Sequence, residues 1–356
     1  MRTVSMGTLV DLSIKRTGLI LFKPFSIKKW LCLLLIASLA GTVGGGGNSG
    51  SGHHKEANAT QNEQQILKNK PETLPFQYQQ GAKKLENITK KYHHKSNLYR
   101  KIKSFFGSLP PAIMAIAVLI GLILIILLLW LSCRFKFVWF DSIIKNDASI
   151  VEPFKKYKKE GDSLFEFYLF IILALIAFGI LIAGFGLLTS SLLYVTIWIF
   201  ILLVIAAIIF LLLLFLIIEH FIVTIMAMDN CLFNEAWDKF KEIYHANQKE
   251  LWFYLLVIIG LGIVCWIIET IATLIWVLII LLAAAIFFGI PYLLIGVLLK
   301  LTPIFIAYAV LAGIPFVAIV IILLLSIGLP IAVFFRSFSL YFISSLQCPY
   351  NPLPLE

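Results

Sequence analysis

An all-α bundle of about six transmembrane helices is the fold class this sequence predicts, and three observations predict it. Hydrophobic residues fill 60% of the 356 positions and charged residues only 13%. Mean hydropathy is +0.96. The charges, net +10, collect between long apolar runs rather than within them. A soluble core cannot bury that much Leu, Ile and Phe when so few charges remain to cover it, so lipid must be the solvent for much of the surface. Amphipathic interfacial helices and a re-entrant broken segment complete the expected architecture.

Residues 1–29 read as a cytoplasmic N-terminal segment, rich in Lys and Arg. Residues 30–43 read as the first span. Its apolar run of ~13 residues covers only ~20 Å at ~1.5 Å per residue, against ~30 Å of hydrocarbon. Ser38 and Ala40 stand at the spacing of a signal-peptide cleavage site, but Leu21, Phe22 and Phe25 make the preceding segment too apolar for a simple leader, so the span is expected to be uncleaved. Residues 44–81 form a flexible outer linker of Gly, Ser, Asn and Gln, whose apolar surface is too small to offset the entropy of ordering. Residues 82–109 form a basic amphipathic outer segment, with Leu85, Ile88, Tyr92, Tyr99, Ile102 and Phe106 on one helical stripe. Lys90, Lys91, Lys95, Arg100, Lys101 and Lys103 lie off that stripe and are candidate ligands for anionic lipid headgroups.

Residues 110–335 make the membrane bundle, with loops at 134–163 and 219–250. Pro110 and Pro111 open a span, since proline is tolerated where a first-turn N–H has no partner anyway. The 134–163 loop is strongly basic, which marks the cytoplasmic side, while the turn around Ser190 has no charge and falls outside. Glu219 and His220 end the fourth span. Asn234 is expected to cap an interfacial helix that turns Trp237 and Phe240 to one face. Glu269 is the sole charge of residues 251–299, twenty residues and ~30 Å beyond Lys249, so it is expected near the opposite membrane face. A lone intramembrane carboxylate is still a functional candidate. Gly289 and Pro291 are placed at the turn of a re-entrant pair, which gives six spans; a full crossing by residues 270–299 would give seven and put Arg336 outside. Residues 336–356 are a cytoplasmic tail, where Phe338 and Tyr341 join Trp237 and Phe240 as candidate interfacial docking residues for a membrane-protein partner.

Three strings, WFDSII with VEPFKKYKKEGDSLF, FIVTIMAMDNCLFNEAW, and VFFRSFSLYFISSL, resemble an uncharacterised family of prokaryotic six-span membrane proteins. That family is distantly similar to the membrane domain of some glycerophosphodiester phosphodiesterases and to Yip-type membrane proteins. The resemblance runs from FKPFSIKKW to the end and implies a six-span fold without an established activity. Thr224 stands where the resembling string carries proline, and residues 43–109 have no counterpart.

Signatures of catalysis are absent: the sequence has no Gly-rich phosphate loop, no GxSxG and no HExxH. The expected protein is therefore not an enzyme and takes no cofactor. Cys32, Cys133, Cys231, Cys265 and Cys348 form no CxxC, and the paired histidines at 53–54 and 93–94 have no ligand at metal-binding spacing. No nucleic-acid module accompanies the basic residues, so the bilayer, through its anionic headgroups, is the expected partner. Two classes survive, in the inner (plasma) membrane: a non-enzymatic scaffold or assembly component, and a permease or lipid-handling transporter using the segment near Gly289 and Pro291. Charges discriminate them. Transporters bring several ionisable groups together inside the membrane, whereas only Glu269 stands out here, which favours the scaffold.

Overall fold

The computed structural model describes residues 5–43, 110–188, 193–299, 301–346 and 348–354. Every regular element among them is helical. Met1–Gly46 and Leu128–Glu356 form one compact unit, and Gly47–Leu127 a second, whose described part is the apolar start of a long helix. The expected linker and the basic segment with Lys90, Lys91, Lys95, Arg100, Lys101 and Lys103 lie outside the described residues.

The elements, in chain order, are α1 (Met6–Phe22), α2 (Ile27–Leu39), α3 (Pro111–Lys145), α4 (Val151–Lys156), α5 (Lys158–Leu188) and α6 (Leu193–Ile217). A π-helical turn at Ile218–Ile222 leads into α7 (Val223–Asp229). Then come α8 (Phe233–Ala246), α9 (Gln248–Ala284) and α10 (Thr302–Ser345). Among the described residues, five stretches are long and apolar enough to cross a membrane: Ala112–Lys145, Lys158–Leu181, Ile201–Asp229, Gln248–Leu298 and Thr302–Ser345. The expected sixth, near residues 30–43, is the 13-residue α2, whose Leu33, Leu34, Ile36 and Ala37 are buried in the protein.

Charged residues do not end these helices as expected. α3 begins at Pro111 but continues through Arg134 and Lys136 to Lys145, and Asn146, with φ 56°, ends it. Arg16 Nη2 then caps the end of α3 by donating to the carbonyls of Ile143 and Ile144, at 2.9 and 2.8 Å. The charged side chains stay helical because they face partners inside the protein: Asp162 for Arg134, Glu219 for Lys136. Likewise the fourth span runs past Glu219 and His220 to Asp229, where Asn230 adopts the left-handed conformation favourable for a C-cap. α8 starts at Phe233, so Asn234 lies in its first turn rather than capping it. Ser163 Oγ accepts from the Phe233 N–H at 3.1 Å and supplies the missing cap.

The re-entrant turn at Gly289–Pro291 is corrected. The backbone stays helical there, as π-helical segments Ala285–Gly289 and Tyr292–Leu298, and the chain reverses only between Leu298 and Thr302. α9 and α10 make one antiparallel hairpin. Tyr254 stacks on Phe338 and Phe342, Phe287 on Phe316, and Tyr292 meets Phe305 edge-on at 5.2 Å. Pro291 has no N–H for the Phe287 carbonyl one turn back, and Tyr308 Oη donates to that carbonyl at 3.0 Å instead. A hydrogen bond from the facing helix thus holds straight what the sequence suggested would break.

Trp139, Tyr254, Phe137, Phe338, Phe342 and Leu9 are among the largest fully buried side chains of the core. α1 packs along α10, contributing Leu9, Ser13, Ile20 and Leu21. The middle stretches of the long helices expose their leucines and isoleucines, as lipid contact requires: Leu311 of α10 is 80% exposed.

Candidate functional site

Three helices each carry one charge just beyond an apolar run, and the fold brings these charges together. Lys136 comes from α3, Glu219 from the π-helical turn after α6, and Arg336 from α10. Lys136 Nζ pairs with the Glu219 carboxylate. Arg336 Nη1 donates to the Glu219 carbonyl. The π-helical turn is what makes this geometry available. By shifting the backbone bonding to one residue further on, it turns the Glu219 and His220 carbonyls toward α10. The His220 carbonyl accepts from Ser339 Oγ at 2.9 Å and from Thr224 Oγ1 at 3.2 Å. Thr224, the departure from proline in the resembling string, therefore serves the carbonyl four residues back that a proline would have left without its N–H.

His220 Nδ1 and Tyr254 Oη are 2.9 Å apart, and the Tyr254 ring is clamped between Phe338 and Phe342 at 5.5 and 4.1 Å. The histidine is thereby fixed in orientation. Cations are also held by rings: Lys136 Nζ lies 5.1 Å from the Phe215 centroid, and the Arg336 guanidinium carbon 5.3 Å from that of Phe140. Arg336 is 4% exposed, and its Nε and Nη2 are buried without a hydrogen-bond partner among the described residues. Such an orphaned guanidinium is costly, since buried donors left unpaired lose their hydration without recompense.

These groups line a cavity of about 320 Å³ together with Trp139, Glu269 and the chain after α2 at Gly41–Val43. Glu269 lines it beside Gly328 of α10, where the absence of a side chain relieves a close approach to Val43. A Cβ there would stand 3.2 Å from Val43 Cγ1 and 3.5 Å from Glu269 Oε1. Glu269 is thus not isolated at a far membrane face. α9 continues fifteen residues past it to Ala284, and its carboxylate shares one chamber with Lys136, Glu219, His220 and Arg336.

A second polar group nearby leaves none of its buried nitrogens unpaired. Arg134 Nε and Nη2 contact Asp162 at 2.9 to 3.0 Å, Trp130 Nε1 donates to the same carboxylate at 2.9 Å, and the guanidinium lies 4.2 Å from the Trp130 ring. Gly161 permits this contact, because a Cβ would fall 2.7 Å from Arg134 Cγ and 3.2 Å from its Cα.

The expected docking aromatics fare differently. Phe240, Phe338 and Tyr341 are buried in the core, Phe240 against Phe221 and Phe338 against Tyr254. Trp237 is half-buried and stacks on Phe233. Gly289 and Pro291 lie in the hairpin, outside the chamber lining. Sequence reasoning missed Lys136 and Arg336 and read Glu219 and His220 chiefly as a helix end, the alternative of an acid–base pair at a membrane face having no nearby nucleophile to serve. The available signal was that each charge stands just beyond an apolar run, on the side of the membrane marked by the basic 134–163 loop.

A family model described as a family of unknown function, DUF7544, matches residues 8–352. The chain belongs to the DUF7544 family. No curated protein and no solved structure matches it. The match embraces every charged residue of the chamber, so the site belongs to the family's domain rather than to an appendage of it. The likeness to phosphodiesterase membrane domains and to Yip-type proteins rests on the sequence strings alone.

Proposed function

We propose that this DUF7544 protein is a non-enzymatic, multi-pass membrane protein that binds an anion-bearing molecule in the chamber around Arg336, in the manner of a carrier rather than a scaffold. The observation that carries the reading is the buried guanidinium with two unpartnered donors lining a chamber at the end of three apolar helices. Arginine presents its donors in a planar fork that matches a carboxylate or phosphate, and ionisable groups inside membrane segments are functional by default. Lys136 adds a second cation, already balanced by Glu219. The scaffold expectation rested partly on Glu269 standing alone, and its place in one chamber with Lys136, Glu219, His220 and Arg336 supports the carrier reading instead. The scaffold's other support, free aromatic faces, is reduced to Trp237. The plasma membrane, with the basic 134–163 segment on the cytoplasmic side, is the setting this reading adopts.

Native mass spectrometry of the full chain, released from detergent after incubation with phosphatidylglycerol or phosphatidylcholine, tests the reading. One anionic lipid retained by the wild type, and lost in Arg336→Gln, is the expected result. Equal retention of both lipids, unaffected by Arg336→Gln, would overturn it.

A further inference from the structure

Beside the polar chamber lies an apolar one of about 330 Å³ between α3, α5 and α6, and the two share Gly41, Lys136 and Phe215 in their walls. Its construction is regular. α3 contributes Leu129, Ser132, Cys133 and Lys136, an i, i+3, i+4, i+7 stripe that is one helix face. α5 and α6 contribute stripes of the same spacing, which include Leu175 and Leu214. Both chambers fall within the size range of small-molecule sites. Lys136 stands at their junction, its stem along the apolar wall and its ammonium beside Glu219.

One polar group interrupts the apolar wall. Tyr168 lines this chamber, and its hydroxyl is buried with no hydrogen-bond partner among the described residues. Its ring stacks on Phe215 with centroids 5.4 Å apart, which fixes where the hydroxyl can be. A tyrosine hydroxyl kept unpaired at the foot of a hydrocarbon-lined space requires a ligand that is mostly chain but carries an acceptor near its head.

We propose that the two chambers form a single site for one phospholipid. Its phosphate lies against Arg336 and Lys136, its ester carbonyl accepts from Tyr168, and an acyl chain fills the space between α3, α5 and α6. This rests on the reading of Arg336 as an anion donor and adds the class of molecule that carries the anion. A soluble phosphate would use the first chamber and leave Tyr168 and the second without purpose. An acyl chain alone would leave Arg336 unanswered. Only an amphiphile satisfies both, with Lys136 at the junction of the two walls.

The test uses the full chain in phosphatidylcholine vesicles containing a small fraction of phosphatidic acid with a photoactivatable diazirine on one acyl chain. Adducts mapped by mass spectrometry should concentrate on the half-buried stripe residues Ile171, Leu211 and Leu214, at least tenfold over the outward-facing Leu173 and Leu212. Excess unlabelled phosphatidic acid should displace them, whereas glycerol 3-phosphate should not. Leu214→Trp, which fills the acyl space, should remove the adducts. Tyr168→Phe should weaken retention of the ester-linked lipid about fivefold, the equivalent of one hydrogen bond of about 1 kcal/mol, and leave an ether-linked analogue unchanged. Displacement by glycerol 3-phosphate at the same concentration as by phosphatidic acid would overturn the lipid assignment while leaving the anion reading intact. Adducts spread evenly over inward and outward faces would also overturn it. Chamber adducts that persist at full yield in Arg336→Gln would instead remove the anion reading beneath it.

Discussion

Two arginines of this protein are almost equally buried, Arg134 at 7% exposure and Arg336 at 4%, yet they are opposites in how their donors are used. Arg134 meets the Asp162 carboxylate through both Nε and Nη2, with Trp130 donating to the same oxygen. Arg336 spends one nitrogen on a backbone carbonyl and keeps two without a partner. Burial alone does not tell a strut from a site. The saturation of the hydrogen-bonding groups does, because an interior that satisfies every donor has nothing left to offer a ligand.

The largest effect that would break this distinction concerns the strut. Arg134→Ala leaves Asp162 and Trp130 without their charged partner and should cost about 3 kcal/mol, at the low end for a buried pair since Asp162 keeps some solvent contact. Arg336→Gln should shift stability by no more than about 1 kcal/mol, because it removes one hydrogen bond together with two unpaired buried donors. Denaturant unfolding of both variants in the same detergent checks the ordering. If Arg336→Gln proved the more destabilising, the contrast would be reversed.

A smaller loss is expected from Gly161→Ala. The added Cβ meets the Arg134 backbone as well as its side chain, and no rotamer change relieves the backbone contact. The cost should be about 1–3 kcal/mol, typical of an overpacked interior, with no effect on lipid retention. Thermal unfolding alongside native mass spectrometry would separate the two readouts.

The smallest effect sharpens the comparison from a third cluster. Asp229 accepts from Tyr350 Oη at 2.7 Å and pairs with Lys239, tying the chain after α10 to the end of α7. The hydrogen bond to Asp229 raises the pKa of Lys239, against a lesser opposing effect of burial. A cation whose folded-state pKa is raised contributes stability that is complete below its ordinary range and fades as pH climbs through the raised value. The stability difference between wild type and Lys239→Gln should thus be constant near neutrality and shrink in strong alkali. Lys239 is well exposed, so the difference will be slight. A difference that grew with pH would contradict the pairing.

The fold class was legible because hydropathy and long apolar runs are properties of composition and order alone. Helix ends were less so. Lys136, Glu219 and Arg336 look in sequence like the flanks of spans, where charges ordinarily meet water. Whether a flanking charge faces water or a partner on another helix depends on which helices are neighbours, and one chain's pattern carries no signal for that. The same holds for Pro291. A proline in an apolar run reads as a break until the facing Tyr308 is known to serve its orphaned carbonyl. Phe338 and Tyr341 read as interfacial aromatics beyond the last span, but both are buried, Phe338 stacked on Tyr254 of α9.

The central claim is that Arg336 is held unsaturated for a ligand while Arg134 is not. Its most direct measurement is the shift in unfolding temperature of the purified full chain on adding phosphatidic acid, made on wild type, Arg336→Gln and a mild perturbation of the strut, Gly161→Ala. Ligand that binds only the native state must stabilise it. Wild type and Gly161→Ala should rise by similar increments from their different starting points, and Arg336→Gln should not rise. An equal rise in Arg336→Gln would show that the unpaired donors of Arg336 take no part in binding.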